Sequence, residues 1–417
     1  MLKAHRAPEI RRQLRRTLSS AAAAMTVALL SVLPVQPGSA VGAAPKPPVP
    51  LEVLTSQGAR GSGYIFVSPG GPGVTKYTLG PQILDREGNL VWFHPVPPSQ
   101  QVLDFRTQTY RGKSVLTWWQ GTGAGELSKG VGYIYDARHR LVATVRAGNG
   151  LDADCHEFLI TPWDTALITI YTTAEADLRS IGGRANQTVV NGVVQEIDIA
   201  TGEVLFEWNS ADHVPFSESR QPLPESADTP WDWFHVNAAH LDTDDNLLID
   251  ARHTWATYKV NRAGGDIIWT LGGDNSSFRL RAAPGQRLNR DGTIFAWQHD
   301  SEALGNGLYT WFDNESSGTG RDPLGYSRVV TVRVDEERRV ATLVASIKQP
   351  DRLSAESQGN AQTTIGRRVF VGWGSLPYIS QFDRAGRLLF HARFPKGVGT
   401  YRAYMLRWNP KHARPHS

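Results

Sequence analysis

One local pattern recurs six times along this chain and constrains its fold more than any other feature. It appears as ILDREGNLVWFH (83–94), IYDARHRLVATV (134–145), EIDIATGEVLFEW (196–208), KVNRAGGDIIWTL (259–271), RVDEERRVATLV (333–344) and QFDRAGRLLFHA (381–392). Each copy is a short alternating strand, a polar turn that often holds Gly, and a second strand: a β-hairpin signature. Copies lie about fifty to seventy-five residues apart, the length of a four-stranded propeller blade with insertions. A second series of apolar strands falls between the hairpins: KSVLTWW (113–119), TALITIY (165–171), NLLIDAR (246–252), GLYTWFD (307–313) and RVFVGWG (368–374). The strand from Tyr64 to Val67 and the segment YRAYMLRW (401–408) complete the series and would close a ring between the two ends. The expectation is an all-β, six-bladed β-propeller over residues 64–417, with a central funnel-shaped active site. A pair of β-sandwiches also uses short, evenly spaced strands, but six-fold recurrence favours a repeat architecture. No helix longer than a loop insert is expected.

The formal charge of +4 misleads if read as a whole. Residues 1–43 hold Lys3, Arg6, Arg11, Arg12, Arg15 and Arg16 against Glu9 alone, which is more than the entire excess. What remains is slightly acidic, so a nucleic-acid partner loses its electrostatic support. The same segment has the layout of an export signal: a basic start, the apolar run SSAAAAMTVALLSVLP (19–34), then small residues at Ser39-Ala40 and Gly42-Ala43. The run is short for a bilayer span, and an uncleaved anchor is the alternative. The expected destination is extracellular or in the cell envelope, with membrane association only if the leader stays attached. Residues 44–63, Pro-rich up to about 60, read as an extended lead-in. Cys155 is the only cysteine, so no intrachain disulfide can form and stability must come from the core.

Histidines are not spread evenly over this plan. His156 in DCHEF, His235 in WFHVN and His299 in WQHDSEAL each stand at the head of a blade unit, and Asn360 holds the matching place in another. First strands of blades line a propeller's central channel, so such residues meet on the axis although far apart in sequence. In 231–273, His235 and Asn237 are two apart and share a face if the strand is regular. With a four-residue turn at 242–245, Leu241 pairs with Asn246 and His235 lies opposite Arg252. A one-residue slip would put His253 there instead. Imidazoles, amides and a guanidinium suit a small tetrahedral oxyanion. Taken singly, a His beside aromatics is more often a hydrogen-bonded core residue, the reading given to His94, His139, His213 and His391. His240 and His253 are left open. Three His could instead bind zinc, but Glu157 and Asp300, each directly after a His, point to the other face of a strand, and Arg252 disfavours a cation. No metal and no cofactor is expected.

At these residues the chain resembles the bacterial PAPS-independent arylsulfotransferases, a family of exported six-bladed propellers. The segment DWFHVNAAHLDTDDNLLIDARH (232–253) is the most specific part, and the short architecture looks most like the family's actinobacterial and fungal-type branch. The resemblance implies that His235, Asn237 and Arg252 belong to the catalytic set, that His156 is a channel histidine, and that His299 becomes transiently sulfated. It implies ping-pong transfer of a sulfuryl group from an aryl sulfate donor to a phenolic acceptor. Asp300 or a backbone carbonyl is expected to fix the tautomer of His299. Trp233, Trp297 and Asn360 are the expected substrate-binding residues, although packing is the ordinary role of such tryptophans. The competing readings are a non-catalytic binding propeller for an anionic or aromatic ligand and a metal-dependent hydrolase or lyase.

Overall fold

The computed structural model describes residues 46–57, 63–123, 125, 128–316, 324–364 and 366–409. The leader expected over 1–43 lies outside the described residues. Within them the fold is all-β and propeller-like: the strands form six separate sheets, three of four strands and three of five. The regular α-structure is one turn, Ser210–His213.

Every recurrent hairpin supplies the third and fourth strands of a sheet counted from its head strand, as in Lys129–Tyr135 with Leu141–Val145 and Tyr378–Phe382 with Leu388–Arg393. An Asx side chain opens each of the six turns and caps the amides two to four residues on. Asp85, Asp136, Asp198, Asn261, Asp335 and Asp383 all accept in this way. The carboxylate or amide oxygen thereby replaces a carbonyl the tight turn cannot provide. The apolar series 113–119 to 368–374 forms the second strands, buried on both faces, which explains their continuous Val/Leu/Ile/Trp character.

The last described strand, Gly399–Leu406, pairs antiparallel with Tyr64–Gly70, so strands from opposite ends of the described chain share one sheet. Head strands touch in succession: Gly399–Leu406 meets Gln101–Tyr110, which meets Phe158–Ile160. Val236–Leu241 meets His299–Gly305, which meets Asn360–Thr364, and that strand returns to Gly399–Leu406. Apolar clusters fill the gaps between neighbouring sheets; one joins Trp208, Trp233 and Phe234 to Leu247 and Tyr258.

Two details differ from the sequence reading. Part of the lead-in is a strand, Glu52–Ser56, added to the edge of a sheet against Leu388–Arg393. In the hairpin after His235 the turn is one residue longer than expected. Asp242 N–H donates to Asn246 O, and Leu241 pairs with Leu247. A bulge between Val236 and Ala238 takes up that extra residue, so Arg252 N–H still donates to His235 O at 3.0 Å.

Candidate active site

His156, His235 and His299 are buried and converge. The rings of His156 and His235 stand edge to face at 5.1 Å. Arg252 Nη1 lies 3.3 Å from His235 Nε2, and the guanidinium sits 3.7 Å above the Trp297 ring, two residues before His299. Arg252, His156 and His235 are all close enough for their charges to act on His299. The bulge leaves Asn237 beneath them, its amide donating to Gln298 O at 2.8 Å.

The three imidazoles share one construction: Nδ1 is anchored by a side-chain oxygen, which orients Nε2. Asp154 Oδ2 lies 2.6 Å from His156 Nδ1, and Thr169 donates to the same carboxylate. Asp232 bonds His235 Nδ1. Behind His299 the partner is an amide, Asn314 Oδ1, at 2.8 Å, with Trp297 O at 3.2 Å. Asn314 Nδ2 donates to two carbonyls, Ala355 O and Gln358 O, which fixes which end of the amide faces the ring.

These partners give the rings different charge states. Burial opposes the charge on His156, but the Asp154 carboxylate and Cys155 together outweigh it and hold this imidazole well above its ordinary pKa. Burial, with Arg252 and then His156 beside it, pushes His235 well below the ordinary value. The geometry agrees, because a guanidinium can only donate and His235 Nε2 must accept. His299 is also pushed well down, by burial first and Arg252 second, while Asn314 works weakly in the other direction. Gln358 N–H donates to His299 Nε2 at 3.2 Å, so this ring carries its proton on Nδ1.

Both neighbours at the register question contribute. Arg252 bonds His235, and His253 packs 4.6 Å from the same ring with its Nδ1 2.5 Å from Asp232 O. His235, Trp297, Asp300 and Gln358 all adopt positive φ, between 55° and 65°. For non-glycine residues that conformation is costly, and its concentration around one spot marks a site whose geometry is imposed by its surroundings.

Other expectations are corrected. Asp300 does not orient His299: its Oδ2 accepts from Ala361 N–H at 3.1 Å, and Oδ1 is 3.4 Å from Arg402 Nε. Trp233 is fully buried between Phe216 and Phe234 with its indole N–H on Asn191, which leaves no face for a substrate. Asn360 is engaged at both ends of its amide by the Ala403 main chain and ties two head strands together. His94 and His139 stack on Trp92, His213 on Trp208 and His391 on Tyr378, as packing residues.

Glu157 and Asp300 point, as alternation requires, into a second buried layer. There Arg106 and Arg402 pair with Asp104 and Glu157, and His240 lies 2.8 Å from Glu157. Tyr401 joins the layers, its hydroxyl donating to His156 O at 2.9 Å and reaching Asn237 O at 3.3 Å. Among the described residues, Asp232, His235 and His253 offer ligand atoms within 4.8 Å of one another, as do Asp154, Cys155 and His156. In the first group Arg252 already donates to His235, a poor neighbour for a cation.

No curated protein matches the chain. Among solved structures it is similar to a Bacteroides caccae protein of unknown function (11% identity, 83% of this chain and 100% of that one, TM-score 0.46). It is also similar to a catalytically inactive variant of virginiamycin B lyase from Staphylococcus aureus in its structure with quinupristin (11% identity, 82% and 87%, TM-score 0.40). The sequence profile described as Arylsulfotransferase (ASST) matches residues 106–395, which include His156, His235, Asn237, Arg252, His299 and Asn314. With the profile spanning well over half of the chain, the protein belongs to the arylsulfotransferase (ASST) family.

Proposed function

We propose that the six sheets are the blades of a propeller with a funnel-shaped site on its axis. The site moves a sulfuryl group between phenols without PAPS, through a sulfohistidine at His299. The observation that carries this reading is the difference in what holds the two rings: a neutral amide, Asn314, behind His299 and a carboxylate, Asp154, behind His156. Nucleophile and acid are thus set apart by environment. His299 Nε2 attacks sulfur, the N–S bond forms and the S–O bond to the aryl group breaks. The departing phenolate takes the Nε2 proton of His156. In the second half the acceptor phenol returns a proton to His156, its oxygen attacks sulfur, and the N–S bond breaks to restore His299. Arg252 and His156 stabilise the charge gathering on the sulfuryl oxygens, a term usually worth about 10²–10³ in rate per donor. Gln358 N–H must leave His299 Nε2 before attack.

The leader fits an exported enzyme, and the chain's short architecture fits the actinobacterial and fungal-type branch. A donor-quenched sample should carry a labile adduct of about 80 Da on the His299 peptide, after a burst of one equivalent of phenol. Well-folded protein giving neither burst nor adduct overturns the proposal. The amide contact on His299 Nε2 favours one other reading, a funnel that binds an aryl anion without reacting. Under it, His299→Ala leaves ligand affinity intact and no adduct ever forms.

A further inference from the structure

A cavity of about 480 Å³ lies beside the histidine site, bordered by Ser68, Gly70, Val102 and Leu103. It shares two residues with that site. Gln358, whose N–H bonds His299 Nε2, and Tyr401, whose hydroxyl bonds His156 O, both line it. The cavity is therefore one residue away from the reacting nitrogen. Its size lies in the range typical of small-molecule pockets, roughly 300–1,000 Å³. None of the described residues lining it is a Lys, Arg, Asp, Glu or His, and Pro69, Val74 and Leu79 add apolar wall. The Ser68 hydroxyl in its wall is enclosed rather than open to the cavity.

We propose that this cavity holds the aryl body of the phenolic substrate, and that it selects uncharged phenols over charged ones. The inference rests on the sulfuryl-transfer reading for the word substrate, but the binding itself does not. An anionic ring substituent would lose its hydration here without gaining a counter-charge, which penalises it.

Gly70 gives a clean handle on this pocket. A Cβ built there meets nothing within 4 Å, so larger side chains enter open space without displacing the backbone. Gly70→Ala and Gly70→Leu are compared with the unaltered protein by titrating 2-naphthol, phenol and 6-hydroxy-2-naphthoate calorimetrically in the absence of any sulfate donor. Transfer to the same three acceptors is then measured with donor present. The expected result is a graded loss, reaching about tenfold in 2-naphthol affinity and kcat/KM for Gly70→Leu, with phenol changed less than about threefold. The naphthoate should bind at least about tenfold more weakly than 2-naphthol in the unaltered protein. The proposal is overturned if Gly70→Leu leaves 2-naphthol binding unchanged or if the naphthoate binds equally well. A graded loss of binding in a protein that transfers nothing would instead refute the sulfuryl-transfer reading and leave the pocket standing.

Discussion

Asn314 Oδ1 stands 2.8 Å from His299 Nδ1, in the place that Asp154 and Asp232 occupy behind the other two histidines. A carboxylate there would stabilise the imidazolium strongly, whereas a neutral amide does so far less and chiefly holds the proton on Nδ1. Asn314→Asp is therefore expected to raise the His299 pKa. Since the nucleophile is active only when deprotonated, the acidic limb of the kcat/KM–pH profile should move to higher pH. Asn314→Ala should lose the tautomer and reduce kcat by on the order of 10²–10⁴. That variant also strands the Ala355 and Gln358 carbonyls, at about 1–3 kcal/mol each, so its melting temperature should be read beside its rate.

Arg252 has two separable functions. In the proposed reaction its guanidinium donates to sulfuryl oxygens, and its charge helps keep His235 deprotonated. Arg252→Lys preserves the charge without the planar fork and should lose about 10²-fold in kcat while leaving the pH profile in place. Arg252→Ala should lose at least as much and also raise the His235 pKa, which NMR titration of the ring can follow.

The two tryptophans expected to touch substrate should behave oppositely. Trp297 supports Arg252 through its ring face, an interaction of about 0.5–2 kcal/mol. Trp297→Leu should therefore lower kcat/KM by roughly three- to thirtyfold, with a smaller loss of stability than truncation at Trp233. Trp233→Ala removes a fully buried ring and should destabilise by about 3–5 kcal/mol in urea. Trp233→Phe should preserve the kinetics.

Stability should fall on acidification from near neutrality. His235, His253 and His299 have folded pKa values well below the ordinary imidazole value. Below about pH 6.5 the unfolded chain takes up protons that these three buried rings refuse, so unfolding becomes easier as pH falls toward their folded values. Each contributes up to about 1.4 kcal/mol per pH unit in that window. His156 has the opposite sign: the stability it adds is complete below about pH 6.5 and is lost as pH rises through its elevated folded pKa. Urea titrations from pH 5 to 9 should show both slopes, with the alkaline one absent in His156→Gln.

Much of this was legible in the sequence because hairpins leave local marks. Alternation, an Asx at the first turn position and apolar second strands are properties of a dozen neighbouring residues. The orienting aspartates were also within sight, two residues before His156 and three before His235. Asn314 was not: fifteen residues separate it from His299, and nothing in the intervening strand marks its amide as turned inward. The bulge at Asn237 was equally hidden, since a longer turn and an extra strand residue cancel and restore the pairing of His235 with Arg252. Trp233 and Asn360 were misread because residue type at a blade head says little about how much of the side chain its neighbours enclose.

The pairing of Gly399–Leu406 with Tyr64–Gly70 has a consequence for how the protein matures. The closing strand brings Tyr401 against the His156 and Asn237 carbonyls and Arg402 against Glu157, so residues translated later buttress histidines made long before. A chain still emerging from the ribosome, or one clipped near its carboxyl end, would lack these supports however well its earlier hairpins had formed. Competence therefore arrives in one step, with the ring-closing strand, which under the proposed mechanism would keep a half-built site from storing a reactive group on its own side chain.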